Sequence, residues 1–150
     1  SSSNINKNNQ IVTSASSRFM ENFEHSPALK LGLSTAIEQT LDIGIKNINK
    51  RIITLSEYFR SKILINKNLV LMENRDLLSG INTMYFIEND VIDIFKHLSK
   101  LGIRTYISNE KTSVLYFKKI KKKNILRVSF HYFNIKKEID CLVKVLNDLK

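Results

Sequence analysis

The segment Leu126-Arg127-Val128-Ser129-Phe130-His131-Tyr132-Phe133-Asn134 is where this 150-residue chain gathers side chains able to do chemistry. On a strand, alternate residues share a face. Leu126, Val128 and Phe130 then turn toward a core, and Arg127, Ser129 and His131 project from the other side. A guanidinium on the open face of a sheet has two readings. One is a solvated surface charge. The other is a carboxylate grip, because its paired N–H donors match the two oxygens of a carboxylate. Other chemistries find little support. His25, His97 and His131 stand far apart and in no metal-ligand spacing, so no metal site is expected. The single cysteine, Cys141, lies in a helical pattern and reads as buried or half-buried inert packing. With four glycines in all, the chain has no GxGxxG, no GxxxxGK[ST] and no GxSxG.

The net charge of +10 raises a second possibility. Residues 111–150 carry 11 basic and 3 acidic side chains, with the excess centred on Lys118, Lys119, Lys121, Lys122 and Lys123. Such a run in a loop is ordinarily a solvated face. With Tyr116 and Phe117 beside it, the alternative is a module that binds nucleic acid or another acidic partner through the Lys118–Lys123 loop. The first reading makes nucleic acid an unlikely partner. No run of about 18 apolar residues provides a membrane span. One cysteine and no signal-peptide pattern lead to the expectation of a cytoplasmic protein.

The elements that must position Arg127 can be read from periodicity. Residues 1–17 are Ser/Asn-rich and lack sustained periodicity, so they read as a flexible tail or an upstream connection. From Ala28 onward Leu29, Leu33, Ile37 and Leu41, then Ile45, Ile48, Ile52, Leu55, Phe59 and Ile63, recur every three or four residues. Pro27 suits a first helical turn, and Gly44 would cost a helix about 1 kcal/mol relative to Ala. Two helices are therefore expected, 27–42 and 45–64, with a C-terminal cap or bend at Gly44.

Residues 68–72, 80–87, 103–108 and 125–130 read as strands. Thr112–Phe117 reads as a strand or an extended loop. Asn89 or Asp90 can cap a helix that turns Val91, Ile92, Ile94, Phe95 and Leu98 inward and ends at Gly102. Asn134 is expected to cap a last helix with Ile139, Leu142, Val143, Leu146 and Leu149 on one face. The fold class that follows is α+β: a two-layer sandwich with a small, mostly antiparallel sheet covered by helices and a long N-terminal helical segment.

Arg127-Val128-Ser129-Phe130-His131-Tyr132-Phe133-Asn134, followed by Glu138-Ile139-Asp140, resembles the C-terminal signature of class V aminotransferase-like enzymes. Phe23-Glu24, Ala28, Leu31-Gly32-Leu33, Ala36 and Leu41-Asp42-Ile43-Gly44, continued by Arg51, Leu55 and Arg60, are similar to the helical region of the same group. The resemblance spans residues 18–150 and is nearest to the cysteine-desulfurase-like and isopenicillin-epimerase-like branch of fold-type I pyridoxal-phosphate enzymes.

The resemblance implies that residues 18–150 are the C-terminal small domain of such an enzyme. The N-terminal large domain would hold pyridoxal 5'-phosphate through its Schiff-base lysine, so this chain is expected to be inactive alone, with no cofactor-binding residue assignable in it. It also implies an amino-acid substrate, a homodimeric complete enzyme, and Arg127 as the ligand of the substrate α-carboxylate, with Ser129 and His131 beside it. Two departures matter. His25-Ser26-Pro27 follows Phe23-Glu24 where many relatives have a Gly-Thr pair that contacts cofactor phosphate. No cysteine lies between Ile107 and Ile125, where desulfurases carry their persulfide-forming thiol. Transamination, carbon–sulfur lysis without a catalytic cysteine, and epimerisation remain open.

Overall fold

A computed structural model describes residues 3–8, 10–13, 26–74 and 78–149. Phe23, Glu24 and His25 lie outside the described residues. The chain divides into two compact units, Ser1–Ile43 and Gly44–Lys150. In the first, β1 (Ser3–Ile5) and β2 (Ile11–Thr13) pair antiparallel, so part of the segment expected to be an irregular tail forms a hairpin. The Asn6 side chain accepts from the backbone N–H groups of Asn8 and Gln10, which closes that turn. Helix α1 (Pro27–Ile43) follows, and none of its residues is buried: Leu29, Leu33, Ile37 and Leu41 are all exposed.

The second unit begins at Gly44, whose φ of 89° lies in the left-handed region that glycine enters without steric penalty. Its carbonyl accepts from Asn47 and Ile48 and so starts α2 (Ile45–Ile63). The expected break between the two helices is therefore present. Next come β3 (Leu69–Leu71), β4 (Ile81–Phe86), α3 (Val91–Lys100), β5 (Tyr106–Asn109), α4 (Val114–Ile120), β6 (Asn124–Ser129) and α5 (Lys136–Asn147). The strands form one antiparallel sheet in the order β3-β4-β6-β5.

One face of this sheet is the core. Met84, Phe86, Leu126 and Val128 point from it to Leu55, Phe59 and Ile63 of α2, to Val91, Ile94 and Leu98 of α3, and to Ile139, Leu142, Val143 and Leu146 of α5. Complete burial of a Leu or Phe side chain contributes about 1.5–3 kcal/mol, so this face supplies most of the unit's cohesion. Two layers result, as the alternation requires. Gly80 is needed where β4 meets the end of β6, because a Cβ there would collide with the Phe130 carbonyl oxygen.

Four local expectations are corrected. Thr112–Phe117 is not extended: Thr112 closes a turn on Asn109, and α4 follows with Phe117 buried. Ile92 is exposed: Val91 and Ile94 of the same turn take the core side, and the Ile92 N–H donates to the capping Asp90 carboxylate at 2.6 Å. Asn134 does not cap α5. Its Oδ1 accepts from the His131 N–H, its Nδ2 donates to Glu138, and the Glu138 carboxylate accepts from the Ile135 N–H at the helix entrance. Those hydrogen bonds, the backbone one first, lower the Glu138 pKa. Cys141 is exposed rather than packed.

Candidate functional site

The register of β6 determines the surroundings of Arg127. Thr83 of β4 stands opposite it on one side and Tyr106 of β5 on the other. Because Leu126 and Val128 enter the core, Arg127 and Ile125 occupy the second face, joined by Thr83, Tyr106 and Ser108. Helix α4 lies against this face and adds Ser113, Tyr116 and Phe117. Together they line an open cavity of about 590 Å³.

Arg127 is half-buried in that cavity. Its Cζ lies 4.6 Å from the centroid of the Tyr106 ring, a cation–π contact worth about 0.5–1 kcal/mol. Its Nε is buried and has no hydrogen-bond partner among the described residues. Leaving a charged donor desolvated and unpaired is costly, and among the described residues no carboxylate pairs with this one. The guanidinium fork fits a carboxylate.

The nearest acid is committed elsewhere. Glu73 bridges to Arg60 at 3.4 Å, and the Arg60 Nη2 donates to the Glu73 carbonyl at 2.9 Å. Its Oε1 accepts from both the backbone N–H and the hydroxyl of Thr83. Glu73 thus lies behind Thr83. Partial burial first and the Glu73 charge second raise the Tyr116 pKa, so its phenol stays protonated at neutral pH.

The other sequence-predicted residues do not join Arg127. Ser129, although on the same face, is exposed at the end of β6 and lines a different cavity of about 380 Å³ beside Cys141 and Glu138. His131 lies beyond the strand in the 131–134 turn, with its ring against Tyr132 and Phe133. Thr83, Tyr106, Ser108, Ser113 and Tyr116 were not singled out in the sequence for this site. Strand alternation could have marked Thr83, Tyr106 and Ser108 as outward-facing, but only strand order places them beside Arg127. The lysine run is only partly a loop: Lys118 and Lys119 lie in the last turn of α4, while Lys121–Lys123 connect α4 to β6, with Lys121 left-handed at φ 52° and the Lys122 Nζ 4.0 Å from the Tyr85 ring centroid. No group of residues able to hold a metal occurs among the described residues. No helix among them is long and apolar enough to cross a membrane.

An antiparallel sheet with α2, α3 and α5 on one face, and α4 beside the half-buried Arg127 on the other, defines an α+β domain. Residues 4–142 match the family model for class-V aminotransferases, and the chain belongs to that family. A comparison with curated proteins found no match. Among solved structures, the cysteine desulfurase CsdA from Escherichia coli is 18% identical with a TM-score of 0.75, covering 97% of this chain and 36% of that one. The apo cysteine desulfurase of Thermococcus onnurineus is 16% identical with a TM-score of 0.79 and the same coverages. A NifS-like protein is 18% identical with a TM-score of 0.64, covering 79% of this chain and 32% of its own. The chain thus spans about a third of the length of these structures, and the likeness shows the fold.

The class-V family depends on pyridoxal phosphate. That cofactor needs a Schiff-base lysine and a phosphate cradle. Among its described lining residues the Arg127 cavity has no lysine, so that cavity does not fit the Schiff-base seat of the cofactor.

Proposed function

We propose that residues 18–150 are the C-terminal small domain of a pyridoxal-phosphate-dependent class-V aminotransferase-like enzyme, and that this domain binds the α-carboxylate of an amino-acid substrate through Arg127. The observation that carries the reading is Arg127 itself: it lines a solvent-open cavity, and its buried Nε has no partner among the described residues. The coverage of about a third of the neighbouring chains supports a larger, N-terminal cofactor-binding domain as the missing partner. A homodimer, as the complete enzyme, belongs to the same proposal.

In this reading the chain's own residues bind and orient. Tyr106 holds the guanidinium plane from one side, and the strand pairing of β6 between β4 and β5 fixes its height above the sheet. A carboxylate entering the cavity gains two parallel charge-assisted hydrogen bonds and relieves the unpaired charge. Ser129 and His131 lie outside this grip and are not needed for it.

The test is Arg127→Lys in the complete, cofactor-loaded enzyme. Lysine keeps the charge and loses the planar fork. One charge-assisted hydrogen bond contributes about 1.5–3 kcal/mol, so kcat/KM should fall on the order of ten- to a hundredfold. The loss should appear chiefly in KM, because ground and transition states share the contact. Unchanged kinetics with amino-acid substrates would return Arg127 to a surface charge.

A further inference from the structure

The walls of the Arg127 cavity differ in what they can offer a ligand. Arg127 is the only charged side chain among its described lining residues. The Thr83 hydroxyl spends its proton on Glu73 at 2.5 Å, so toward the cavity it has only lone pairs. The Thr112 hydroxyl likewise donates to the Asn109 carbonyl at 2.7 Å. The Thr83 hydroxyl, across the strand pair from the arginine, is therefore an acceptor for a ligand and not a donor, and the Thr112 hydroxyl, which also accepts from the Asn109 N–H, has no proton to give either. Behind Thr83 stands the Glu73 carboxylate, which adds negative potential to the same wall. Tyr116 closes the side formed by α4. A tyrosine phenol is protonated at neutral pH, so it can both donate and accept.

From this arrangement we infer that the Arg127 cavity, through Thr83 and Tyr116, selects a substrate whose side chain is neutral and carries hydrogen-bond donors, a carboxamide or a hydroxyl, over one with an acidic side chain. The inference rests on the carboxylate-grip reading above. A carboxylate side chain would meet acceptors with no proton to give and a negative charge behind them. An amide N–H or hydroxyl meets the same acceptors favourably. The available space, about 590 Å³, does not itself discriminate between glutamine and glutamate, which have nearly the same shape. Discrimination has to come from hydrogen-bond direction and charge.

The 150-residue chain can be titrated by amide NMR with acetate, L-glutamine and L-glutamate, following the resonances of Tyr106 and Arg127. Acetate should bind, and Arg127→Met, which keeps the aliphatic stem on Tyr106, should abolish that binding. L-Glutamine should bind on the order of tenfold more tightly than L-glutamate, the span of one to two hydrogen bonds and a like-charge repulsion. Thr83→Val should erase most of this preference. Tyr116→Phe should weaken glutamine binding about three- to tenfold. Equal binding of the two amino acids, or tighter glutamate, with acetate still lost in Arg127→Met, would overturn the selectivity and leave the grip standing. Acetate that fails to bind, or that binds undiminished in Arg127→Met, would overturn the grip and the selectivity with it.

Discussion

The two faces of the four-stranded sheet treat an arginine in opposite ways. Toward the helices, Arg60 of α2 is buried and paired: Glu73 faces it, and the Glu73 carbonyl takes a second N–H. On the other face Arg127 is half-buried, stacked on a tyrosine and without a carboxylate. A buried pair broken on one side leaves a charge without compensation, so both partners are held by the fold. A charge in an open cavity with no partner among the described residues costs the fold something and serves its stability little. The comparison sets a paired, buried arginine against one without a carboxylate partner among the described residues, and it can be broken experimentally.

The largest effect is expected from Glu73→Ala. It leaves Arg60 buried without its acid and strips the Thr83 N–H and hydroxyl of their acceptor. Loss of about 3–5 kcal/mol in a denaturant melt is expected. A change below about 1 kcal/mol would mean that Arg60 reaches solvent and that the contrast between the arginines is false. Arg127→Met should come far behind. The cation–π contact is lost, the unpaired Nε is removed, and the net change should stay within about 1 kcal/mol in the same melt. A collapsed fold in this variant would make Arg127 a second structural arginine.

The smallest effect concerns Glu138 at the entrance of α5. Its folded pKa is lowered by the Ile135 N–H and the Asn134 amide. A depressed carboxylate contributes stability above its unfolded pKa and loses it as pH falls through the folded value. The melting temperature should therefore drop slightly on acidification below the ordinary glutamate range, and Glu138→Gln should flatten that part of the profile. An identical acid limb in the variant would remove Glu138 from the account.

Much of the architecture was legible because it is encoded locally. Periods of three to four residues marked α2 and α5, and Leu55, Phe59, Ile63, Ile139, Leu142, Val143 and Leu146 are buried as the pattern requires. The break at Gly44 and the cap at Asp90 also follow from single residue types. Alternation placed Arg127 opposite Leu126 and Val128, and the sheet confirms that side. Face, period and cap are properties of neighbours in the chain, and the chain states them directly.

What lay beyond the sequence was decided by partners distant in it. Thr112–Phe117 carried β-compatible residues, yet the turn on Asn109 and the burial of Phe117 made the segment α4. Asn134 has the right side chain for a cap, but His131 and Glu138 compete for it, and Glu138 takes the helix entrance instead. Residues Ser129 and His131 shared a predicted face with Arg127 and still fell outside its cavity, because β6 ends at Ser129 and the cavity extends sideways to β4, β5 and α4. By itself the sequence determined most elements of the second unit, the buried faces of α2 and α5 and the outward direction of one arginine. The tertiary structure alone decided which hydroxyls and which acid surround that arginine, since strand order and cross-strand register bring together residues from 73 to 127 that no local period connects.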